Sequence, residues 1–151
     1  MKVELKPHAI KDIQSIDKKD ATRITTRLSE LEDGLSGDIK RLTNFTPEYR
    51  LRVGNYRVLF EVENDTVVVY RVMHRKHVYA KRLLMNLHPQ FIGRQGSEEY
   101  AVLPIEEFLA VAEALENYQD LQDLRYAKEA EGEASTTSLA DVVAQLDLKQ
   151  G

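Results

Sequence analysis

YRLRVGNYRVLFEVENDTVVVYRVMHRKHVY, residues Tyr49 to Tyr79, is the stretch whose reading decides the fold. Apolar residues alternate with polar ones through most of it, the period-two signature of half-buried strands. Gly54-Asn55 is a turn pair of the kind that closes a hairpin, and Glu63-Asn64-Asp65 marks a second turn. The pattern predicts strands over 49–53, 56–62 and 66–73, joined as an antiparallel meander. With that alternation Arg50 and Arg52 share one face of their strand, while Tyr56, Val58 and Phe60 lie opposite Arg57 and Leu59. Arg50, Arg52, Arg57 and Arg75 are held on or beside the sheet, which makes the stretch an anion-handling surface. Arginines also alternate with apolar residues on ordinary half-exposed strands, so the basic patch is a footprint of nucleic-acid binding and not a proof of it.

Upstream, Val3–Leu5 reads as a short first strand ended by Pro7. Ala9, Ile10, Ile13 and Ile16 keep a helical period, and Asp17–Asp20 forms a polar turn. Ala21, Ile24, Leu28, Leu31 and Leu35 continue a second helix that stops around Gly34, Ser36 and Gly37. The expected layout of residues 1–84 is therefore a strand, a helical hairpin and an antiparallel sheet, an α+β domain with one modest core.

Downstream, the character changes near Met85. Residues 90–102 suggest a small hairpin, and Pro104 opens a long amphipathic helix whose stripe runs through Ile105, Phe108, Leu109, Ala112, Leu115, Tyr118, Leu121, Leu124 and Ala127. Extended to Glu131, it is about 40 Å long at 1.5 Å per residue. A stripe of that length cannot be buried along its whole length within residues 85–151 alone, so its apolar face needs another surface to pack on. Ser138-Leu139-Ala140-Asp141 resembles a capping box with Asp in place of Glu, opening a short last helix through Leu139, Val142, Val143, Leu146 and Leu148.

Composition narrows the function. The 151 residues are 42% hydrophobic and 30% charged, as in ordinary globular proteins. The absence of cysteine excludes disulfides, thiol catalysis and cysteine-bound zinc. No apolar run is long enough to span a membrane and the first residues lack a signal-peptide core, so a cytoplasmic location is expected. The net charge of −4 conceals an asymmetry: residues 1–84 hold 17 Lys and Arg against 12 Asp and Glu, whereas residues 85–151 hold 4 against 13. A basic half and an acidic half suggest two surfaces that meet or two different partners.

The candidate chemistry lies with the arginines, with Tyr49, Tyr56 and Tyr79 beside them, and at His74-Arg75-Lys76-His77-Val78-Tyr79. Guanidiniums grip phosphates and phenols stack on bases. His74 and His77 make a poor metal pair, because no carboxylate stands at helpful spacing and neighbouring cations repel a metal ion. No metal and no cofactor are expected. His8 and His88 read as surface residues.

The order of elements, with YRLRVGNYRVLFEV and VVVYRVMHRKHVY closing it, resembles the RelE branch of the RelE/ParE superfamily of bacterial toxins over residues 1–84. The resemblance implies entry into the ribosomal A site and cleavage of mRNA, the 2′-hydroxyl attacking the adjacent phosphate to leave a cyclic phosphate. It also implies roles. Arg50 and Arg52 stand where the family often has lysines, Arg57 matches the arginine of the YR pair, and Arg75 and Tyr79 match the terminal motif. Arginines suit holding the scissile phosphate and stabilising charge in the transition state. Arginine cannot act as the general base, which leaves Tyr79, then His74 or His77.

EEYAVLPIEEFLAVAEALENYQDLQDLRYAKEAEGEASTTSLADVV is similar to antitoxins of the Phd/YefM, or prevent-host-death, group. The helix that begins the usual DNA-binding part has no counterpart, which counts against operator DNA as a partner. Together the two resemblances imply a type II toxin–antitoxin pair in one polypeptide, residues 1–84 joined to a neutralising segment 85–151. That segment docks within its own chain or exchanges with another copy in a homodimer. The alternatives are a ParE-like gyrase inhibitor with its antitoxin and a catalytically inactive regulatory binding module.

Overall fold

The computed structural model describes residues 1–74, 87–94 and 96–146. The chain forms two compact units: Met1–Lys76 together with Asp120–Gly151, and His77–Gln119. The end of the long helix and the segment C-terminal to it pack with the N-terminal elements.

The first unit is built on a six-stranded sheet. Strand β1 (Lys2–Leu5) is followed by helices α1 (Pro7–Gln14) and α2 (Lys18–Glu30), then by β2 (Ile39–Arg41), β3 (Glu48–Val53), β4 (Tyr56–Glu63) and β5 (Thr66–His74). Pro7 sits in the first turn of α1, where its missing N–H is harmless, and the Asp17 carboxylate accepts from the Asp20 amide at 2.8 Å to cap α2. The hairpins register as expected. Val53 pairs with Tyr56 across Gly54-Asn55, and Glu63 pairs with Thr66 across Asn64-Asp65. Asn64 and Asp65 both take positive φ, the geometry of a tight hairpin turn, and Gly54 does so at +58°. Between β4 and β5 the register skips Tyr70, leaving a bulge.

Strand β1 pairs in parallel with β5, giving the sheet order β2-β3-β4-β5-β1. Both helices pack on one sheet face. Ala9, Ile13, Ala21, Ile24 and Leu28 bury there against Leu5, Leu51, Val58, Phe60, Val67 and Val69. Helix α2 ends at Glu30, earlier than its pattern predicts: one 3₁₀ turn, Leu31–Asp33, buries Leu31, and Gly34 at φ +131° turns the chain so that Leu35 is left exposed.

The long helix α3 spans Ile105–Glu131, 27 residues as expected, and belongs to this unit from Asp120 onward. There Leu124 and Ala127 pack against Leu59 and Tyr70 on the sheet face away from α1 and α2. After α3 comes a strand absent from the sequence reading, β8 (Thr137–Ser138), which extends the sheet by pairing antiparallel with β1. Lys6 secures the approach, its Nζ donating to the carbonyls of Gly132 at 3.2 Å and Ala134 at 2.6 Å. Helix α4 (Leu139–Gln145) is capped by Ser138, whose hydroxyl accepts from the Asp141 amide, and it buries Leu139 and Val142 in the main core.

The second unit is described by itself. Strands β6 (Gln90–Arg94) and β7 (Ser97–Val102) form the expected hairpin, with Phe91 opposite Ala101 and Ile92 opposite Tyr100. The His88 amide donates to the Glu107 carboxylate at 2.8 Å. Phe91, Tyr100, Ile105, Phe108, Leu109 and Tyr118 are exposed. The stripe expected to pack along its whole length is thus buried only at its C-terminal end, at Leu124 and Ala127.

Candidate functional site

Strand register sets the site. Arg52 lies directly opposite Arg57, Arg50 opposite Leu59 and Glu48 opposite Glu61, so all six side chains start from one face of the sheet. This is the face on which the C-terminal half of α3 lies. Leu59 supplies apolar contact, and the cations and carboxylates around it meet opposite charges from the helix.

Asp120 takes the central position. Its Oδ2 accepts from Arg50 Nη1 at 3.0 Å and its Oδ1 pairs with Arg57 Nη1. The arginines and Asp120 are all buried, so the pairs form in a low dielectric where charge-assisted bonds are strong. Asp123, one turn on, adds a pair to Arg57 Nη2 at 3.0 Å. Arg57 Nη2 also approaches the Met73 sulfur at 3.8 Å.

The carboxylates are matched in reverse. Arg125 donates to Glu48 at 3.3 Å, and Lys128 bridges Glu48 at 3.5 Å and Glu61 at 2.7 Å. The Tyr70 hydroxyl donates to Glu61 at 2.9 Å. Burial alone raises the Glu48 carboxyl, but bonds from Thr46 and Arg125 and the charges of Lys128 and Arg125 hold it below its ordinary range. For Lys128 burial acts to lower the ammonium, and its bond and charge with Glu61, helped by Glu48, carry it above its ordinary range. Helix residues 120, 123, 124, 127 and 128 fall on one face at three- and four-residue spacing, so this single face matches both signs of charge across the sheet.

Of the residues singled out in the sequence, Arg50 and Arg57 are brought together under Asp120. Arg52 joins them on the same strand face and is partly exposed. His74 ends β5 on the surface, its ring edge-on to Tyr56 at 5.2 Å. Arg75, His77 and Tyr79 lie outside the described residues. His8 and His88 are exposed, as expected. Burial first, then the charges of Asp20 and Asp17, raise the Tyr56 phenol. Burial, with the bond to Glu61, raises Tyr70 further. Neither phenol is disposed to accept a proton near neutral pH. Among the described residues no group of three or more His, Asp or Glu is arranged to hold a metal ion, and no helix is long and apolar enough to cross a membrane.

Sequence reasoning missed Asp120, Glu48, Arg125 and Lys128. The signal was present in Asp120-Leu121-Gln122-Asp123-Leu124-Arg125-Tyr126-Ala127-Lys128, where acidic and then basic residues flank the buried Leu124 at helical spacing. A search for an apolar stripe passes over it.

The model of the ParE toxin of the type II toxin–antitoxin system parDE matches residues 3–79. Toxin RelE3 of Methanocaldococcus jannaschii is 36% identical over 84 residues, covering 52% of this chain and 96% of that protein. Two solved structures are similar in part. The RelB-RelE antitoxin–toxin complex from Methanococcus jannaschii shares 31% identity at a TM-score of 0.42, over 46% of this chain and 87% of that one. The complex RelBE2 from Mycobacterium tuberculosis shares 23% at a TM-score of 0.44, over 49% and 96%. Through residues 3–79, the chain belongs to the RelE/ParE superfamily of toxins of type II toxin–antitoxin systems.

Proposed function

We propose that residues 1–84 form a ribosome-dependent mRNA endoribonuclease and that the segment after them is its antitoxin, closing the substrate face within the same chain. The observation that carries this reading is Asp120, a buried carboxylate shared by Arg50 and Arg57 at the place where a substrate phosphate would be held. With the helix removed, both guanidiniums face outward from a rigid sheet, fixed by strand register and ready to stabilise phosphorane charge without reorganisation. Arg52, opposite Arg57, adds a third cation.

In the reaction, the 2′-oxygen forms a bond to phosphorus and the bond from phosphorus to the 5′-oxygen breaks. The proton of the 2′-hydroxyl passes to a base and the departing 5′-oxygen takes up a proton. Tyr79 is the first choice for the base by family resemblance and His74, at the end of β5, the second. Arg75 completes the phosphate-holding set. The high effective concentration of a tethered inhibitor, on the order of millimolar, keeps the whole chain silent. Asp120→Ala/Asp123→Ala produced in cells should arrest growth and give mRNA cuts within codons, and adding Arg57→Ala should restore growth. Cuts that persist with Arg57→Ala contradict the assignment of that arginine.

The matched model bears the ParE name, which favours a second reading: the N-terminal unit inhibits DNA gyrase by binding it, with no nuclease chemistry. Gyrase-dependent DNA breakage by the double aspartate variant, without mRNA cuts, would select it.

A further inference from the structure

Away from the face covered by α3, a cleft of about 390 Å³ opens between α2 and the β3–β4 turn. Thr22, Arg23, Thr26 and Arg27 line it from one face of the helix, and Arg52, Val53 and Gly54 from the sheet. Among the described residues, none of Asp120–Leu146, the segment that closes over Arg50 and Arg57, lines the cleft.

Glycine turns hold both helix arginines in place. The Arg23 guanidinium lies over Gly54, where a Cβ would meet its nitrogens at 3.2 and 3.3 Å. Arg27 fills the space a side chain at Gly37 would take, and its Nη2 donates to the Ser36 carbonyl at 3.3 Å. Gly37 and Gly54 both have positive φ, so the turns themselves favour the residue that leaves this room. Opposing charges sit on α2, Asp20 at 3.9 Å from Arg23 and Glu30 paired with Arg27, and neither carboxylate lines the cleft. The charged side chains that α2 brings to it are the Arg23 and Arg27 guanidiniums, whose edges suit a phosphate.

We propose that this cleft is a phosphodiester-binding site for single-stranded RNA, one that works while the C-terminal segment covers Arg50 and Arg57. Phosphate recognition comes from the cleft; the choice of RNA over DNA rests on the nuclease function proposed for residues 1–84. The whole chain would then hold RNA without cutting it, and release of the segment would act on substrate already bound.

The test uses the full chain, a short fluorescein-labelled single-stranded RNA, and fluorescence anisotropy over a range of salt concentrations. Arg23→Gln/Arg27→Gln should weaken binding about tenfold at low salt and flatten the salt dependence by about one unit of slope for the lost contact. Thr26→Glu, which places a negative charge on the cleft wall while leaving both arginines, should weaken binding as well. Unchanged affinity and slope in both variants, or no RNA binding by the unaltered chain, overturns the site. Equal affinity for duplex DNA overturns the RNA assignment. Because binding is scored with Asp120 in place, a failure here is separate from a failure of mRNA cleavage in the aspartate variants.

Discussion

Replacing Asp120 with alanine removes a buried carboxylate that Arg50 and Arg57 share. Deleting one partner of a buried ion pair costs about 3–5 kcal/mol, because buried charge loses compensation. Arg57 keeps Asp123 at 3.0 Å, which places the expected loss toward the lower figure. At about 1.4 kcal/mol per decade, the undocked population of the C-terminal segment should rise by two decades or more. Amide hydrogen exchange over Asp120–Ala127 reads this directly, since protection there requires α3 to stay on the sheet. A companion variant, Arg50→Met/Arg57→Met/Asp120→Leu, removes all three charges together and should keep the protection or increase it. Unchanged protection in Asp120→Ala would refute the claim that this ion triad holds the segment down.

Three further outcomes are expected from the same contacts. Leu124→Ala, at a fully buried position packed on Leu59 and Tyr70, should lower unfolding stability by about 2–5 kcal/mol in denaturant titration. Lys6→Met strands the Gly132 and Ala134 carbonyls, costs about 1–3 kcal/mol, and should speed proteolysis between α3 and β8. The pH response has a definite sign. The folded Glu48 carboxyl lies below its ordinary 4.5, so its stabilisation is complete above that pH and lost as pH falls through the lowered value. The folded Lys128 ammonium lies above its ordinary 10.5, so its contribution is complete below that pH and lost as pH rises through the raised value. Docking should therefore be level across neutral pH and weaken in acid, and Glu48→Gln should flatten the acid limb when unfolding midpoints are followed with pH.

The meander was legible because its period-two alternation and turn chemistry agree, and each hairpin register is then set by a two-residue loop. The long helix was legible in extent but not in use. Its apolar stripe is continuous from Ile105 to Ala127, yet beside Leu124 and Ala127 it is charged residues that fix it to the sheet, and periodicity of apolar residues gives charge no weight. Strand β8 escaped because two residues carry no pattern; their pairing with Glu4 and Leu5 depends on a long-range approach steered by Lys6. Arg50 and Arg52 were legible as cations on one face of their strand, and the hairpin register adds Arg57 to that face. The counter-charge of Arg50 and Arg57 lies some sixty to seventy residues away, and only the folded chain brings Asp120 to them.

The most direct test of a masked RNA-cleaving face is to supply the purified chain and its Asp120→Ala/Asp123→Ala variant to a reconstituted translation reaction, mapping mRNA ends and their chemistry. The account predicts no new ends with the unaltered chain, and codon-internal cuts bearing 2′,3′-cyclic phosphates with the variant. The same ends produced by both proteins, or by neither while the variant is folded and its segment released, would contradict it.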